Sequence, residues 1–384
     1  MINKNKDKGI TLVALVITII ILLILATISI QSLTNTGLFQ KASEAKEKTQ
    51  NAEENQAKTL NEYEDELNKY ISGTAKEKFK GTTVADAIKY ADILNNDNNT
   101  ELQDEYGNKI VVPAGFKITN DATTVNKGIV IVDSNENEFV WIPVGKIYTD
   151  KEKTEANTKT IELGRYEFDS NGVKSAYSGS YVEEDKGDTT TTLKNLGNTI
   201  AKNITNFKNS ATTNGGYYIG RYEARTKTAR TAKDNALAQI TEKGTDSVYN
   251  YVTQLQAAQL AQNMYNSNKF ISDLMNSYAW DTLTLFLQTC GTNATYSRQT
   301  RVSSTLSQTG TNTQSIKDVQ CNVYDMASNV YEWLTETSNR SGYPCVYRGG
   351  GYDDNNGYTS FRYSLETSYS YKSIGFRPIL FVNV

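Results

Sequence analysis

Hydrophobic and polar positions first separate an N-terminal segment from the rest of the chain. An uncharged apolar run extends from Ile10 to Ile30, and its twenty-one residues would form a helix of about 31 Å, long enough to cross a bilayer. Lys4, Lys6 and Lys8 precede this run, so the positive-inside rule predicts a cytoplasmic N-terminus and an outward-facing remainder. A cleaved signal peptide is the alternative, but the run is long and no small-residue cleavage site follows it.

The next segment has the periodicity of a helix. From Leu38 to Ile71 the chain is rich in Ala, Glu, Lys, Gln and Asn, and apolar or alanine positions recur at three-four spacing. We expect a helical stalk over residues 31–72 that continues the membrane helix; self-association through its weak seam is the alternative. Residues 73–105 contain one short helical pattern, Val84 to Leu94, and are interpreted as a linker or small subdomain.

Strand and helix patterns are mixed over residues 106–384, which predicts one α+β ectodomain. A hairpin is expected from Ile129–Asp133 and Glu138–Val144, joined by a polar turn. Residues 146–212 are rich in Thr, Asn, Lys and Gly and are interpreted as a surface insertion. The other predicted elements are a strand at 216–224, a polar helix Thr190–Asn209, helices Val252–Tyr265 and Ser277–Thr289, and a loop Arg298–Gln314.

Composition excludes several kinds of chemistry. The chain has no histidine, which removes the usual general base and the commonest metal ligand. A net charge of −3 gives no basic footprint, so we expect no nucleic-acid partner. The three cysteines, at 290, 321 and 345, are too scattered for a zinc site. Cys321 and Cys345 either pair or remain buried thiols.

The stretch from Asn322 to Arg377 has the composition of a recognition surface. Seven tyrosines lie between Tyr343 and Tyr371, interleaved with Ser, Thr, Asn, Asp and Gly. Tyrosine offers rigid amphipathic area at low entropic cost, and the small polar residues adapt around it. This composition favours ligand binding.

The N-terminus resembles a type IV prepilin signal. In KGITLVALVITIIILLILATISI, a short basic leader and a glycine precede a hydrophobic helix. The resemblance implies a leader at 1–9, cleavage by prepilin peptidase between Gly9 and Ile10, and a retained helix at 10–30. Ala14 stands where the family usually has a glutamate at the fifth mature position. A minor pilin or pseudopilin that caps a filament, with pilin-like assembly partners, is therefore one alternative, and a plain membrane anchor is another.

The ectodomain resembles the formylglycine-generating-enzyme, or sulfatase-modifying-factor, family, which has a variant C-type-lectin-like fold. The resemblance rests on ordered motifs: GYYIGRYEA, AWDTL, NVYDMASNVYEW, VYRGGGY, SFRYS and IGFRP. In that family the loop matching NVYDMASNVYEW can hold calcium. The matching positions are Asp325 and Glu332 by side chain and Ser328 and Val330 by backbone oxygen. The alternative is that the two carboxylates hydrogen-bond the loop without metal.

The same resemblance bears on catalysis and on the arginines of the motifs. The family's enzymes use a C-terminal cysteine pair or, in iron-dependent relatives, histidines, and this chain has PILFVNV after its last arginine. We therefore expect no enzymatic activity. Arg348, Arg362 and Arg377 either recognise anions or are buried and join loops together; the second interpretation is favoured because they lie within fold-defining motifs.

The same fold occurs in variable proteins of diversity-generating retroelements, and the C-terminal stretch is similar to their variable segments. Adenine-directed mutagenesis of asparagine codons there yields Tyr, Asp, Ser, Thr and Gly. A fixed tyrosine-rich loop is the alternative. The candidate contact residues are Tyr352, Asp353, Asp354, Asn355, Asn356, Tyr358, Thr359, Tyr363, Tyr369 and Tyr371. The sequence thus predicts a single-pass membrane protein whose extracellular head binds an extracellular protein or carbohydrate.

Overall fold

The computed structural model describes residues 12–35, 41, 44–60, 62–63, 82–89, 97–185, 203–233, 237–307 and 318–383. The chain divides into two compact units, Met1–Ala75 and Lys76–Val384. The expected leader, with Gly9 and Ile10, lies outside the described residues, as do parts of the stalk and of the 146–212 segment.

The first unit contains helix α1 (Leu12–Asn35) and helical residues 44–60, here α2. Within α1, Ala14–Gln31 is long and apolar enough to span a membrane, and none of this segment is buried. Hydroxyl groups of Thr18, Thr27 and Ser29 donate to carbonyl oxygens four residues earlier, at 2.8, 2.6 and 2.8 Å. The hydroxyl hydrogens are thereby satisfied inside the helix, as an apolar surrounding requires. A signal sequence would pass the same test of length and composition.

The second unit mixes helices and short strands, which confirms the α+β expectation. Its helices are α3 (Val84–Lys89), α4 (Ile204–Asn214), α5 (Gln254–Met264) and α6 (Ser277–Cys290), with short 3-10 turns at Val125–Lys127 and Tyr296–Arg298. Its strands are β1 (Thr100–Gln103), β2 (Lys109–Val112), β3 (Lys117–Ile118), β4 (Val130–Val132), β5 (Glu138–Pro143), β6 (Gly145–Tyr148), β7 (Thr158–Ile161), β8 (Tyr166–Phe168), β9 (Lys174–Ala176), β10 (Tyr181–Val182), β11 (Gly216–Gly220), β12 (Arg225–Thr226), β13 (Ser247–Val248), β14 (Phe270–Leu274), β15 (Val319–Gln320), β16 (Val323–Tyr324), β17 (Tyr331–Ser338), β18 (Cys345–Arg348), β19 (Arg362–Leu365), β20 (Ile374–Phe376) and β21 (Pro378–Val382).

A six-stranded sheet in the order β14-β21-β11-β5-β4-β3 lies against the larger hydrophobic core. The expected hairpin is confirmed, because β4 and β5 pair antiparallel with Val130 opposite Val140. Its turn is closed by the Asp133 carboxylate, which accepts from the backbone N–H groups of Asn135 and Asn137 at 2.8 Å each. This local hydrogen bonding is why the polar SNEN run forms a turn.

Two predicted helices are present with bounds close to those expected from their apolar periodicity. Helix α5 begins at Thr253, whose hydroxyl and the Gln256 side chain form a capping box. Helix α6 begins at Asn276, whose side-chain oxygen accepts from the Ala279 N–H at 2.9 Å. Trp280 of α6 is fully buried. These helices therefore begin where side chains satisfy otherwise unpaired N–H groups.

A second sheet is centred on β17 and supports the C-terminal loops. Strand β17 pairs antiparallel with β10 and β18 and parallel with β20, and β18 pairs with β19. Trp333 on β17 packs with Tyr249 and Phe376 in a second hydrophobic core. Because β18, β19 and β20 flank the loops 349–361 and 366–373, those loops start and end on hydrogen-bonded strands.

Two features of the second unit bear on its boundaries. The unit begins at Lys76, and β1, from the segment expected to be a linker or small subdomain, pairs with β2 of the main domain. The 146–212 segment is not a simple surface insertion, because Ile147 and Ile161 join the main core and β10 pairs with β17. Small apolar clusters inside a Thr-rich background were too short to show this burial in the sequence.

Candidate ligand-binding surface

The three glycines after β18 set the start of the first loop. Gly349 has a φ of 84°, which favours glycine. A Cβ on Gly350 would lie 2.0 Å from the carbonyl oxygen of Ala327, and no side chain fits at that distance. The backbone of 349–351 therefore packs directly against the loop that contains Met326 and Ala327.

Hydrogen bonds hold the 352–361 loop to the scaffold along its length. The Tyr352 N–H donates to the Asn329 carbonyl at 2.8 Å. The Tyr331 hydroxyl donates to the Asp354 carboxylate at 2.7 Å. At the far end, the indole N–H of Trp280 donates to the Thr359 carbonyl at 2.9 Å. The loop is thus fixed at both ends and at its middle.

The 366–373 loop is held by a different segment. The Tyr251 N–H donates to the Tyr371 carbonyl at 3.1 Å, and the Asn250 side chain donates to the Lys372 carbonyl at 2.8 Å. The Lys233 ammonium reaches the Ser368 carbonyl at 3.2 Å. Residues 233 and 250–251, distant in sequence, therefore position the second half of the tyrosine-rich stretch.

The two loops and the strands between them carry a connected chain of aromatic rings, which we call the loop face. It consists of Tyr352, Tyr358, Phe361, Tyr363, Tyr369 and Tyr371, with Tyr347 and Trp333 behind them. Successive ring centroids lie 5.6 Å apart for Tyr358–Phe361, 6.2 Å for Tyr347–Phe361, 5.9 Å for Trp333–Tyr347, 6.3 Å for Trp333–Tyr369 and 6.2 Å for Tyr369–Tyr371. Tyr352 is linked to this chain of rings by Lys372, whose ammonium lies 5.6 Å from the ring centroids of both Tyr352 and Tyr371.

The tyrosines of the loop face combine exposure with support from buried rings. Tyr363 is 40% exposed and Tyr371 is 44% exposed, whereas Trp333 is fully buried. Tyr363 stacks on Phe361 with an interplanar angle of 17°. Aromatic packing of this kind fixes the outer rings without covering them. The surface can therefore offer preorganised apolar area to a partner.

Cations lie against rings of the loop face and against Tyr343, which precedes β18. The guanidinium of Arg298 is 3.8 Å from the Tyr358 ring centroid. That of Arg340 is 4.4 Å from the Tyr343 ring, and its Nη1 donates to the Tyr363 hydroxyl at 3.0 Å. Contacts of this type hold the cation while its outer edge remains able to donate.

Nine of the ten predicted contact residues lie at least partly at the surface, and one does not. Thr359 is fully buried, and its N–H donates to the Gln299 carbonyl at 3.0 Å. Its prediction as a contact residue is wrong because the backbone bridge to the 299–300 segment draws it inward. The residues that sequence reasoning missed are Arg298, Arg301, Arg340 and Lys372. Nothing in their local sequence signals that folding brings them to the tyrosines.

The four positions expected to hold calcium are all buried, and one of the two carboxylates already has a cationic partner. Glu332 is bound by Arg377, whose Nη2 and Nε lie 2.7 and 3.1 Å from Oε1. The Ser328 hydroxyl accepts from the Val302 N–H at 3.0 Å. The Val330 N–H donates to Glu223 at 2.9 Å. Over the described part of the chain, no group of three or more carboxylate or thiol side chains could hold a metal ion.

Asp325 illustrates the electrostatics of this interior. It has a φ of 60°, and its Oδ2 is buried without a hydrogen-bond partner among the described residues. Burial, and secondarily the Asp318 carboxylate, raise the pKa of Asp325 to about 7, while Arg225 and Arg377 act in the opposite direction. With its pKa raised in this way, protons compete with a cation for the oxygens of Asp325 near neutral pH.

The motif arginines are interior scaffold, as the favoured interpretation held. Arg348 lies 2.5 Å from Asp281, and Arg362 lies 2.8 Å from Asp281 and 2.9 Å from Glu336. Arg348 and Arg377 are fully buried. Their ion pairs join α6, β17, β18, β19 and the residue between β20 and β21, so these guanidinium groups connect segments of the scaffold.

The cysteines are not paired. No disulfide joins Cys321 and Cys345, and Cys345 is buried in β18. The Cys321 thiol donates to the Asn126 carbonyl at 3.6 Å. The buried-thiol interpretation is therefore confirmed for Cys345, and Cys321 is half-buried.

Comparisons with known proteins give only distant likenesses, among them two solved structures. No family model matches the chain, and no curated protein matches it. The crystal structure of CarF matches 36% of this chain and 68% of its own, with a TM-score of 0.27 and 18% identity. Treponema denticola variable protein 1 matches 43% of this chain and 84% of its own, with a TM-score of 0.25 and 14% identity. Superposition at these TM-scores does not define a shared fold.

Proposed function

We propose that the protein is a membrane-anchored binding protein whose ectodomain presents the loop face to an extracellular ligand. The observation that carries the proposal is the connected chain of partly exposed tyrosines on hydrogen-bonded loops, described above. Soluble ectodomains rarely leave contiguous aromatic area exposed without a partner. Tyrosine and arginine are enriched where proteins bind other molecules. A catalytic role forms no part of the proposal.

The test is a selection on the full-length protein in lipid nanodiscs, with phage-displayed random peptides as the probe. Binding of the selected peptides is then measured on two variants, Tyr363→Ala/Tyr371→Ala on the loop face and Tyr106→Ala/Tyr148→Ala elsewhere. We expect the first pair to weaken most selected peptides by about tenfold or more and the second pair to leave them unchanged. Equal binding to all three proteins would place recognition elsewhere.

We propose that α1 anchors the chain and that the ectodomain lies outside the cell. The fully exposed apolar surface of Ala14–Gln31 supports this. Processing by a prepilin peptidase is part of the same proposal and predicts a mature N-terminus at Ile10. Mass spectrometry of the membrane-bound protein tests it: cleavage after Gly9 should be abolished by Gly9→Ile. A mature chain that starts after Gln31 would instead identify a cleaved signal sequence.

We also propose that the head is a C-type-lectin-like scaffold in which residues 352–371 are diversified. The motif resemblance and the Tyr, Asp, Asn, Ser, Thr and Gly content of that segment support this proposal. A gene for a reverse transcriptase and a near-copy of the 345–377 coding region should lie nearby. An identical 352–371 coding sequence throughout independent isolates, without such neighbours, would refute diversification and leave ligand binding untouched.

A further inference from the structure

The arginines form two groups with different partners. The sequence contains ten arginines. Six of them lie within 4.0 Å of a carboxylate oxygen, all in the interior or at its edge: Arg165, Arg221, Arg225, Arg348, Arg362 and Arg377. The remaining four make no such ion pair with any residue that the structure describes: Arg230, Arg298, Arg301 and Arg340. An arginine without an ion-pair partner keeps donor groups available to a ligand. Arg301 is the one of the four for which a carboxylate lies close enough to interact, because its charge helps to lower the pKa of Asp354.

All four of these arginines lie around the loop face. Arg298 stacks on Tyr358, and Arg340 stacks on Tyr343 and bonds the Tyr363 hydroxyl. Arg301 donates through Nε to the Asn355 side chain at 3.0 Å.

Arg230, the fourth of these arginines, contacts the segment that holds the 366–373 loop. Its Nε donates to the Asn250 carbonyl at 2.9 Å and its Nη2 to the Tyr251 carbonyl at 3.2 Å. Tyr251 in turn donates its N–H to the Tyr371 carbonyl. Guanidinium groups without an ion-pair partner among the described residues therefore lie at Tyr358 and Tyr363, and a further one, Arg230, lies against the 250–251 segment that positions Tyr371.

The carboxylates on the two loops are fewer than the cations around them. Lys372 and Lys233 add two further cations, and the carboxylates on the two loops are Asp353, Asp354 and Glu366. Asp354 already accepts from the Tyr331 hydroxyl and from the Asn356 N–H at 2.9 Å. Asp353 lies 4.0 Å from Lys372. A positive surface on a chain of net charge −3 is opposite in sign to the protein as a whole.

We propose, on the basis of the binding function above, that the ligand is a protein surface bearing carboxylate side chains. Guanidinium groups held against tyrosine rings keep donor groups that match carboxylates in charge and geometry. Cations at separate ends of the ring chain suit an extended partner that contacts several rings at once. Tyrosine and arginine together are the side chains that contribute most to protein–protein affinity, and opposite charge sets specificity and association rate.

The peptide selection described above tests the inference separately from the binding function. Peptides that lose binding on Tyr363→Ala/Tyr371→Ala show that the loop face binds ligands. The inference requires, in addition, that those peptides are enriched in Asp and Glu relative to the starting library. Loop-face-dependent peptides with no acidic enrichment would overturn the inference and leave the proposed function intact. Failure to recover any loop-face-dependent peptide would overturn both.

Variants that remove positive charge from the loop face, compared with variants that remove it elsewhere, give a second test. Arg298→Gln/Arg340→Gln/Lys372→Gln should weaken the acidic peptides by about tenfold and flatten their dependence on salt concentration. The control, Lys117→Gln/Lys127→Gln/Lys146→Gln, removes the same charge from exposed positions elsewhere and should leave affinity unchanged. Equal losses for the two variants would contradict a local effect. Hyaluronan, a carboxylated glycan without aromatic or peptide groups, should not displace the peptides; full displacement would overturn a protein ligand.

Discussion

The interaction between Arg377 and Glu332 should be one of the strongest single determinants of the stability of the second unit. Arg377 is fully buried and makes bonds to Glu332, to the Gly220 carbonyl at 3.0 Å and to the Tyr324 carbonyl at 2.8 Å. Methionine would fill much of the same space with an unbranched side chain, but it would leave the buried Glu332 carboxylate without its cation. We expect Arg377→Met to lower the free energy of unfolding by about 3–5 kcal/mol.

A double-mutant cycle separates the ion pair from the rest of the arginine's bonds. Glu332→Gln removes the charge that Arg377→Met would otherwise leave unpaired. The double variant should therefore be more stable than the sum of the two single effects predicts, by about 2 kcal/mol. Its remaining loss of about 1–3 kcal/mol reflects the unpaired carbonyl groups of Gly220 and Tyr324.

The assay is chemical denaturation of the purified chain in detergent, followed by tryptophan fluorescence. Thermal unfolding gives a second readout, in which Arg377→Met should lower the Tm by roughly 10 °C. Strictly additive single effects, or a loss below about 1 kcal/mol for Arg377→Met, would refute the buried pair. They would also reopen the interpretation of Arg377 as a ligand-binding side chain.

Four further predictions concern the scaffold and the loop face. Gly350→Ala should lower the free energy of unfolding by about 3 kcal/mol, because the added methyl group would clash with the Ala327 carbonyl. In the same denaturation assay, Gly342→Ala should lower it by only about 1 kcal/mol, because that position has open space and only its positive φ is unfavourable. Burial raises the pKa of Asp273 from 3.8 to about 7, so its contribution to stability is full below the unfolded value and is lost as pH rises through 7. The Tm of the native protein should therefore fall between acid and neutral pH, and Asp273→Asn should make this fall smaller. A variant with the same dependence of Tm on pH as the native protein would contradict the prediction. A calcium chelator should leave the Tm unchanged, since Glu332 is already paired with Arg377; a fall on chelation would support calcium binding by this loop. Tyr371→Ala should change stability by less than about 1 kcal/mol, as measured by the same denaturation, because the ring is exposed.

The sequence predicted the elements whose signals are local. The hairpin of β4 and β5 and the helices α5 and α6 combine apolar periodicity with turn or capping residues, and each is found close to its expected position. The burial of the motif arginines was also predictable, because guanidinium groups inside fold-defining motifs usually pair with carboxylates.

The parts that could not be predicted depend on contacts between distant segments. Ile147 and Ile161 looked like isolated apolar residues in a polar background, and only the tertiary fold brings them into the core. Thr359 resembles its polar neighbours, yet a backbone pairing with residues 299–300 buries it. Arg230 and Arg298 are far in sequence from the tyrosines they accompany. The amino-acid composition therefore predicted where the loop face lies, but it could not predict which arginines surround that surface.

Hydrogen exchange of the full-length protein, with and without a selected peptide, tests the central claim most directly. If the loop face is the binding site, the peptide should slow exchange at residues 352–373 and at 298–301, and leave β3, β4 and β5 of the six-stranded sheet unchanged. Slowed exchange confined to that sheet or to the 146–176 segment, with none in 352–373, would contradict the account.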